Sequence, residues 1–135
     1  VDNLGNKLFI AAEEIPVNAC AAGFVMGHWH RLAPGLGFFI GQWNGQAGAL
    51  HGHLAGIYGV KPVDGTKVFF GKYIGLNGQA RGLLAGEYDA GRFGGLWIGA
   101  NGPKGGLGGV YHEAIPGPET GGFFLGGWAQ TDCGL

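Results

Sequence analysis

The sequence predicts an all-β fold: an antiparallel meander of about eight short strands, closed as a barrel or a barrel-like sandwich, with an N-terminal arm. Three observations predict it. A seven-residue phrase (Gly, any, large apolar, any, Gly, any, aromatic) recurs eight times, and internal repetition fixes architecture before any local signal. Each phrase alternates with period two, the period of a strand. Turn signals rich in glycine separate the copies.

Residues 1–19 precede the repeat and form the arm; residues 20–135 form the repeat domain. In the arm, Lys7-Leu8-Phe9-Ile10-Ala11-Ala12 reads as a strand, Ala11-Ala12-Glu13-Glu14 also suits a helix, and Pro16 ends either. The arm is expected either to pack on its own domain or to add to a neighbour's sheet. The phrases then fall at 23–29, 37–43, 52–58, 67–73, 82–88, 95–101, 105–111 and 122–128. Lys67 replaces the first glycine of the fourth copy, and Asn101 the aromatic of the sixth.

Glycine inside a strand costs stability, so its recurrence implies a need for the missing side chain. Cross-strand register supplies the reason. A hairpin turning at Asn77-Gly78, a strong two-residue turn signal, pairs Tyr73 with Gly82, Gly71 with Leu84, Phe69 with Gly86 and Lys67 with Tyr88. Each large side chain then lies over bare backbone. The same logic pairs Trp43 with Gly52, Gly41 with Leu54, Phe39 with Gly56 and Gly37 with Tyr58, with a longer or bulged loop expected near Ala47-Gly48. Around Gly102-Pro103-Lys104 it pairs Asn101 with Gly105, Gly99 with Leu107, Trp97 with Gly109 and Gly95 with Tyr111. Closure would bring Gly23 near Trp128 and remove two edges. Fragments such as Phe39-Ile-Gly41-Gln-Trp43 resemble the MORN motif, which strings aromatic-X-Gly-X-aromatic phrases on hairpins. The glycine offsets after Trp43 and Tyr73 depart from that motif, and no residue role is carried over from it.

The opposite strand face is apolar where a solvated face would be polar. It carries Phe24, Met26, Phe38, Ile40, Val68, Phe70, Leu96, Ile98, Phe123 and Leu125, together with Ala55, Ile57, Leu83 and Ala85. Exposed apolar area on that scale needs a cover. Those ten residues are the expected self-association surface. The alternatives are lipid, for which seven-residue phrases are short, and burial within one domain.

Composition narrows the partners. Glycine is 32 of 135 residues, but there is no Gly-X-Y period and only 6 prolines, which excludes collagen. Hydrophobic residues at 46% argue for a folded core. A net charge of −1 with no basic window gives no footprint for nucleic acid. Cys20 and Cys133 bracket the repeat, an arrangement that suggests a terminal disulfide and an oxidising, extracellular compartment. The absence of an initial Met and of a leader fits a processed secreted chain.

Candidate chemistry is sparse. His28, His30, His51 and His53 form two i, i+2 pairs able to chelate a metal, but the meander places them at opposite rims, so no metal or cofactor is expected. His112-Glu113 point to opposite faces, and no serine exists to serve as a nucleophile. The conserved spacing of Trp29, Trp43, Tyr58, Tyr73, Tyr88, Tyr111 and Trp128 within the repeat suits a core or interface, or a sugar platform if exposed. No catalytic set is legible, and a non-enzymatic role is expected. The leading expectation is a secreted, microbial structural protein that self-associates as the subunit of an extracellular filament or sheath. The alternatives are a lectin-like glycan-binding module and a small outer-membrane barrel.

Overall fold

The computed structural model describes residues 21–113 and 121–132. Eight strands follow one another around a closed antiparallel barrel: β1 (Ala22–Ala33), β2 (Leu36–Gly45), β3 (Leu50–Val60), β4 (Lys67–Gly75), β5 (Ala80–Asp89), β6 (Arg92–Gly99), β7 (Lys104–Glu113) and β8 (Gly121–Gln130). β1 pairs with β8, with Gly23 opposite Trp128, so both edges are consumed. The sandwich alternative is thereby replaced by full closure.

The stagger is readable from the ladder. His30 pairs with Phe38, and the row continues through Ile57, Phe70, Ala85, Leu96, Gly106 and Ala129 to Ala22. One circuit returns to β1 eight residues from its start (from 30 back to 22). Eight strands with a shear of eight incline about 36° to the axis and enclose an interior that side chains can fill.

That stagger sorts the inward residues into layers of four, each drawn from alternate strands. The even strands give Trp43, Tyr73, Trp97 and Trp128 at the lower end, defined as the end bearing the β2–β3 turn. The odd strands give Val25, Leu54, Leu84 and Leu107 above it. The even strands give Phe39, Phe69, Phe93 and Phe124 next, and the odd strands give Trp29, Tyr58, Tyr88 and Tyr111 at the upper end. Glycines hold the intervening inward positions, except at Lys67 in the uppermost layer. The need for glycine is steric. A Cβ on Gly52 would lie 2.7 Å from Trp43 Nε1, and one on Gly23 2.6 Å from Trp128 Nε1, with carbonyl oxygens of the neighbouring strand closer still.

The two hairpin registers expected around Ala47-Gly48 and Asn77-Gly78 hold residue for residue wherever the ladder is regular, including Trp43–Gly52, Phe39–Gly56, Tyr73–Gly82 and Phe69–Gly86. The third register is corrected. Trp97 pairs with Gly105, Gly95 with Leu107 and Phe93 with Gly109. The sixth phrase therefore runs 91–97, four residues earlier than expected, with Gly91, Phe93, Gly95 and Trp97 in the phrase positions. Asn101 is a turn residue, not a degenerate aromatic.

The reason is a shared loop. Gly45 N donates to Ala49 O and Gly48 N to Gly45 O; the same two bonds join Gly75, Gln79 and Gly78, and again Gly99, Pro103 and Gly102. Gly48, Gly78 and Gly102 have φ of 95°, 81° and 106°. This is a type I turn closed by a left-handed glycine with a bulge, and it displaces the two-residue turn expected at Asn77-Gly78. At the same end of the β8–β1 pair, Gln130 N donates to Ala21 O.

Candidate functional site

The barrel presents two aromatic-collared mouths and one outer belt. At the upper mouth the rings of Trp29, Tyr58, Tyr88 and Tyr111 form a closed cycle of edge-to-face contacts at 5.6–6.3 Å. Glycines on the adjacent strand set the lean of Trp29 and Tyr58. Trp29 crosses Gly122 of β8 to donate to His112 O on β7 at 3.2 Å; Tyr58 crosses Gly37 of β2 to donate to His30 O on β1 at 3.2 Å. At the lower mouth Trp43, Tyr73, Trp97 and Trp128 repeat the cycle at 5.6–6.0 Å. Trp43 crosses Gly52 to Ile74 O at 3.0 Å and Trp128 crosses Gly23 to Asn44 O at 2.9 Å. Between them Phe39, Phe69, Phe93 and Phe124 make a third cycle at 5.9–6.2 Å.

The upper mouth opens on a cavity of about 610 Å³ whose wall includes the upper collar, with Arg31, Lys67 and Glu113 at its margin. Lys67 Nζ lies 3.0 Å from Asp89 Oδ1, which raises the lysine and lowers the aspartate from their ordinary ranges. Both groups are solvated, so the pair adds little stability. Burial, reinforced by the neighbouring Tyr58 and Tyr111, pushes Tyr88 up to about 12. Burial also raises Tyr58, against the opposing charge of Arg31, and raises Tyr73 at the lower collar. Asn44 is the one buried polar side chain noted among the described residues; it donates to Gly48 O at 3.1 Å and accepts from Gln42 Nε2 at 3.2 Å.

The expected self-association residues all point outward. Phe24, Met26, Ile40, Phe70, Leu96, Ile98, Phe123 and Leu125 are exposed, with Phe38 and Val68 half-buried. Ile57 and Leu83 join them at 58% and 49%. The outward position level with the gap between the Phe and Val/Leu layers is apolar on every strand: Met26, Ile40, Ala55, Phe70, Ala85, Gly94, Gly108 and Leu125. One step below it lie Gln42, His53 and Lys72, and one step above it His28, Glu87 and Arg92. Across the middle of β6–β8 the outer face carries Gly94, Gly106, Gly108 and Gly127, flanked by exposed Leu96 and Ile98 of β6 and Phe123 and Leu125 of β8. Beside these glycines, the outward-facing Ala22 and Ala129 are nevertheless buried.

The histidines are not gathered. His28 and His30 sit toward the upper end of β1, and His51 and His53 start β3 at the lower end. His30 stacks on Phe38 and His51 meets Trp43 edge-on. Among the described residues no three metal-ligating side chains cluster. His112 stacks on Phe123. Cys20, Cys133 and the arm at 1–19 lie outside the described residues. Sequence reasoning missed the three aromatic cycles. The signal was present: even-numbered strands carry Phe at the third phrase position and odd-numbered strands carry Val or Leu, so the repeating unit is a hairpin, not a strand. Comparison of the chain with protein-family models, with characterised proteins and with solved structures finds no match.

Proposed function

We propose that this barrel is a structural subunit that associates with copies of itself through its outer belt, in a secreted filament or sheath. The carrying observation is the belt: residues such as Ile57, Phe70, Leu83 and Ile98 remain about half exposed around a closed barrel with no free edge. Contiguous apolar surface of this kind marks an interaction site. Closure directs association to side-chain packing, because barrel strands have no unpaired edge to extend. The outer face is also uneven, with a bare patch of glycines spanning β6–β8 among exposed apolar side chains such as Leu96, Ile98, Phe123 and Leu125. Unlike surfaces of this kind suit head-to-tail contacts, which propagate when the rotation does not close.

The belt's height weighs against the lipid-embedded alternative. The strands are 8–12 residues, long enough to cross a bilayer. Polar groups nevertheless interrupt the apolar surface one outward residue to either side of that row, at Gln42, His53 and Lys72 below and His28, Glu87 and Arg92 above, whereas a membrane barrel keeps a band about 25 Å tall apolar. The Trp and Tyr rings also face inward, where a membrane barrel would place them outside as girdles. For the glycan-binding alternative, the same inward turn leaves only the two collars as ring platforms.

Light scattering across a concentration series, followed by electron microscopy, tests the proposal. The parent chain is expected to assemble, and the Ile57→Lys, Phe70→Lys pair to be monomeric with unchanged circular dichroism. A parent chain that stays monomeric at high concentration overturns it.

A further inference from the structure

We infer that the barrel axis is a binding channel for one unbranched alkyl chain. The inference is independent of self-association and rests on the interior alone. The eight residues of the core cluster face inward, yet each keeps 4–9% exposure, and no large side chain among the described residues falls below 2%. Side chains of a filled core would fall lower. The residual surface of these inward groups therefore looks onto the axis. Two cavities, about 610 Å³ from the upper mouth and about 300 Å³ from the lower, share Val25, Leu54, Leu84 and Leu107 in their walls. The Val/Leu layer is the wall common to both, and a chain lying along the axis would join them through it.

Ring geometry sets the passage's width. Neighbouring Phe rings stand 5.9–6.2 Å apart at 82–88°. Four near-equal sides between alternate strands of a closed eight-stranded barrel approximate a square, whose opposite corners are about 8.5 Å apart. Each ring centre is then about 4 Å from the axis, the contact distance of one carbon file. A linear chain fits and a ring or branched skeleton does not. From the lower to the upper collar is six residues along a strand, or about 16 Å of axis after inclination. That is the reach of roughly twelve extended methylenes.

The chemistry of the wall agrees. The indole N–H groups of Trp29, Trp43, Trp97 and Trp128 are all committed to backbone carbonyls, so the rings offer the axis apolar surface. Charged groups occur only at the margin, as with Arg31, Lys67 and Glu113 at the upper mouth. A cavity walled by apolar side chains accepts apolar guests. The chain is what the site recognises, and any head group remains outside at a mouth.

The test titrates the intact protein with 1-dodecanol, dodecanoate and 1-adamantanol, reading tryptophan fluorescence and calorimetric stoichiometry. Dodecanol is expected to bind one per barrel and adamantanol at least tenfold more weakly. Equal affinity of dodecanoate assigns recognition to the chain, and a tenfold gain for dodecanoate adds a contribution from the basic margin. Leu84→Phe, which narrows the shared layer, is expected to weaken dodecanol at least tenfold. Phe70→Lys on the outer belt is expected to leave it unchanged. Xenon NMR on the parent chain, expected to show one interior site, keeps the idea testable if the Phe variant does not fold. Adamantanol binding as tightly as dodecanol, or loss of dodecanol binding in the belt variant but not the channel variant, overturns the inference.

Discussion

Replacing Gly52 with alanine is the sharpest test of how this barrel is held together. In an ordinary strand the change adds about 0.5–1 kcal/mol of stability, by restricting the unfolded chain. Here the new Cβ would meet Trp43 Nε1 at 2.7 Å and press on the Ile74 carbonyl oxygen. These two atoms are themselves bonded at 3.0 Å, so the methyl group would be driven into the seam of an existing hydrogen bond. Ordinary contact begins near 3.4 Å, which requires the ring to retreat by several tenths of an ångström and the β3–β4 ladder to open. Overpacking of this kind costs about 1–3 kcal/mol, and an indole N–H left unpaired costs about 1–3 kcal/mol more. After the entropic gain, the net loss is about 1–5 kcal/mol. Urea unfolding followed by tryptophan fluorescence measures it. Gly78→Ala serves as a control: its Cβ has open space and only the φ of 81° opposes it, at about 1 kcal/mol. A Gly52→Ala protein as stable as its parent would refute the argument that these glycines seat the opposing rings.

Phe93→Ala removes one ring of the central cycle and is expected to cost about 3–5 kcal/mol by thermal unfolding, since no neighbour can turn to fill the gap. Alkaline titration at 295 nm should show a tyrosine ionising near pH 12, assigned by its loss in Tyr88→Phe. The folded pKa of Tyr88 lies above its unfolded value of 10.0, so its contribution to stability is intact below pH 10 and lost as pH rises toward 12; melting temperature should fall across that window. Ala129→Lys, although on the outward face, is expected to destabilise by about 2 kcal/mol or more, because only 1% of Ala129 is exposed and the ammonium would have to leave water. Mass spectrometry after alkylation without reductant should find Cys20 and Cys133 unmodified and bridged, and reduction should lower stability by about 4–5 kcal/mol for a loop of this length.

Much of the interior was legible from local pattern. Alternation placed Val25, Leu54 and Phe69 inward, and glycine opposite aromatic gave the β2–β3 and β4–β5 registers. The β6–β7 register was not legible in the same way. Gly95, Gly99, Gly102, Gly105 and Gly106 crowd that stretch, and several frames satisfy a glycine-every-fourth-residue rule. The loop closed by Gly99 and Pro103, and the cycle that Trp97 completes with Tyr73 and Trp128 from far along the chain, together select one frame. For the candidate site, the apolar outer belt was legible because it is the other half of the same alternation. The axial channel was not, because its width depends on four rings brought together from β2, β4, β6 and β8.

The sequence by itself determined that strands form, which residues share a face, and that glycine opposes most of the large rings. Those are consequences of a two-residue period and of side-chain size acting between nearest neighbours. Tertiary closure alone decided the eight-residue stagger, the stacking of inward side chains into layers of four, and the narrow passage they leave. Stagger is a property of the whole circuit, and no single pair of strands contains it.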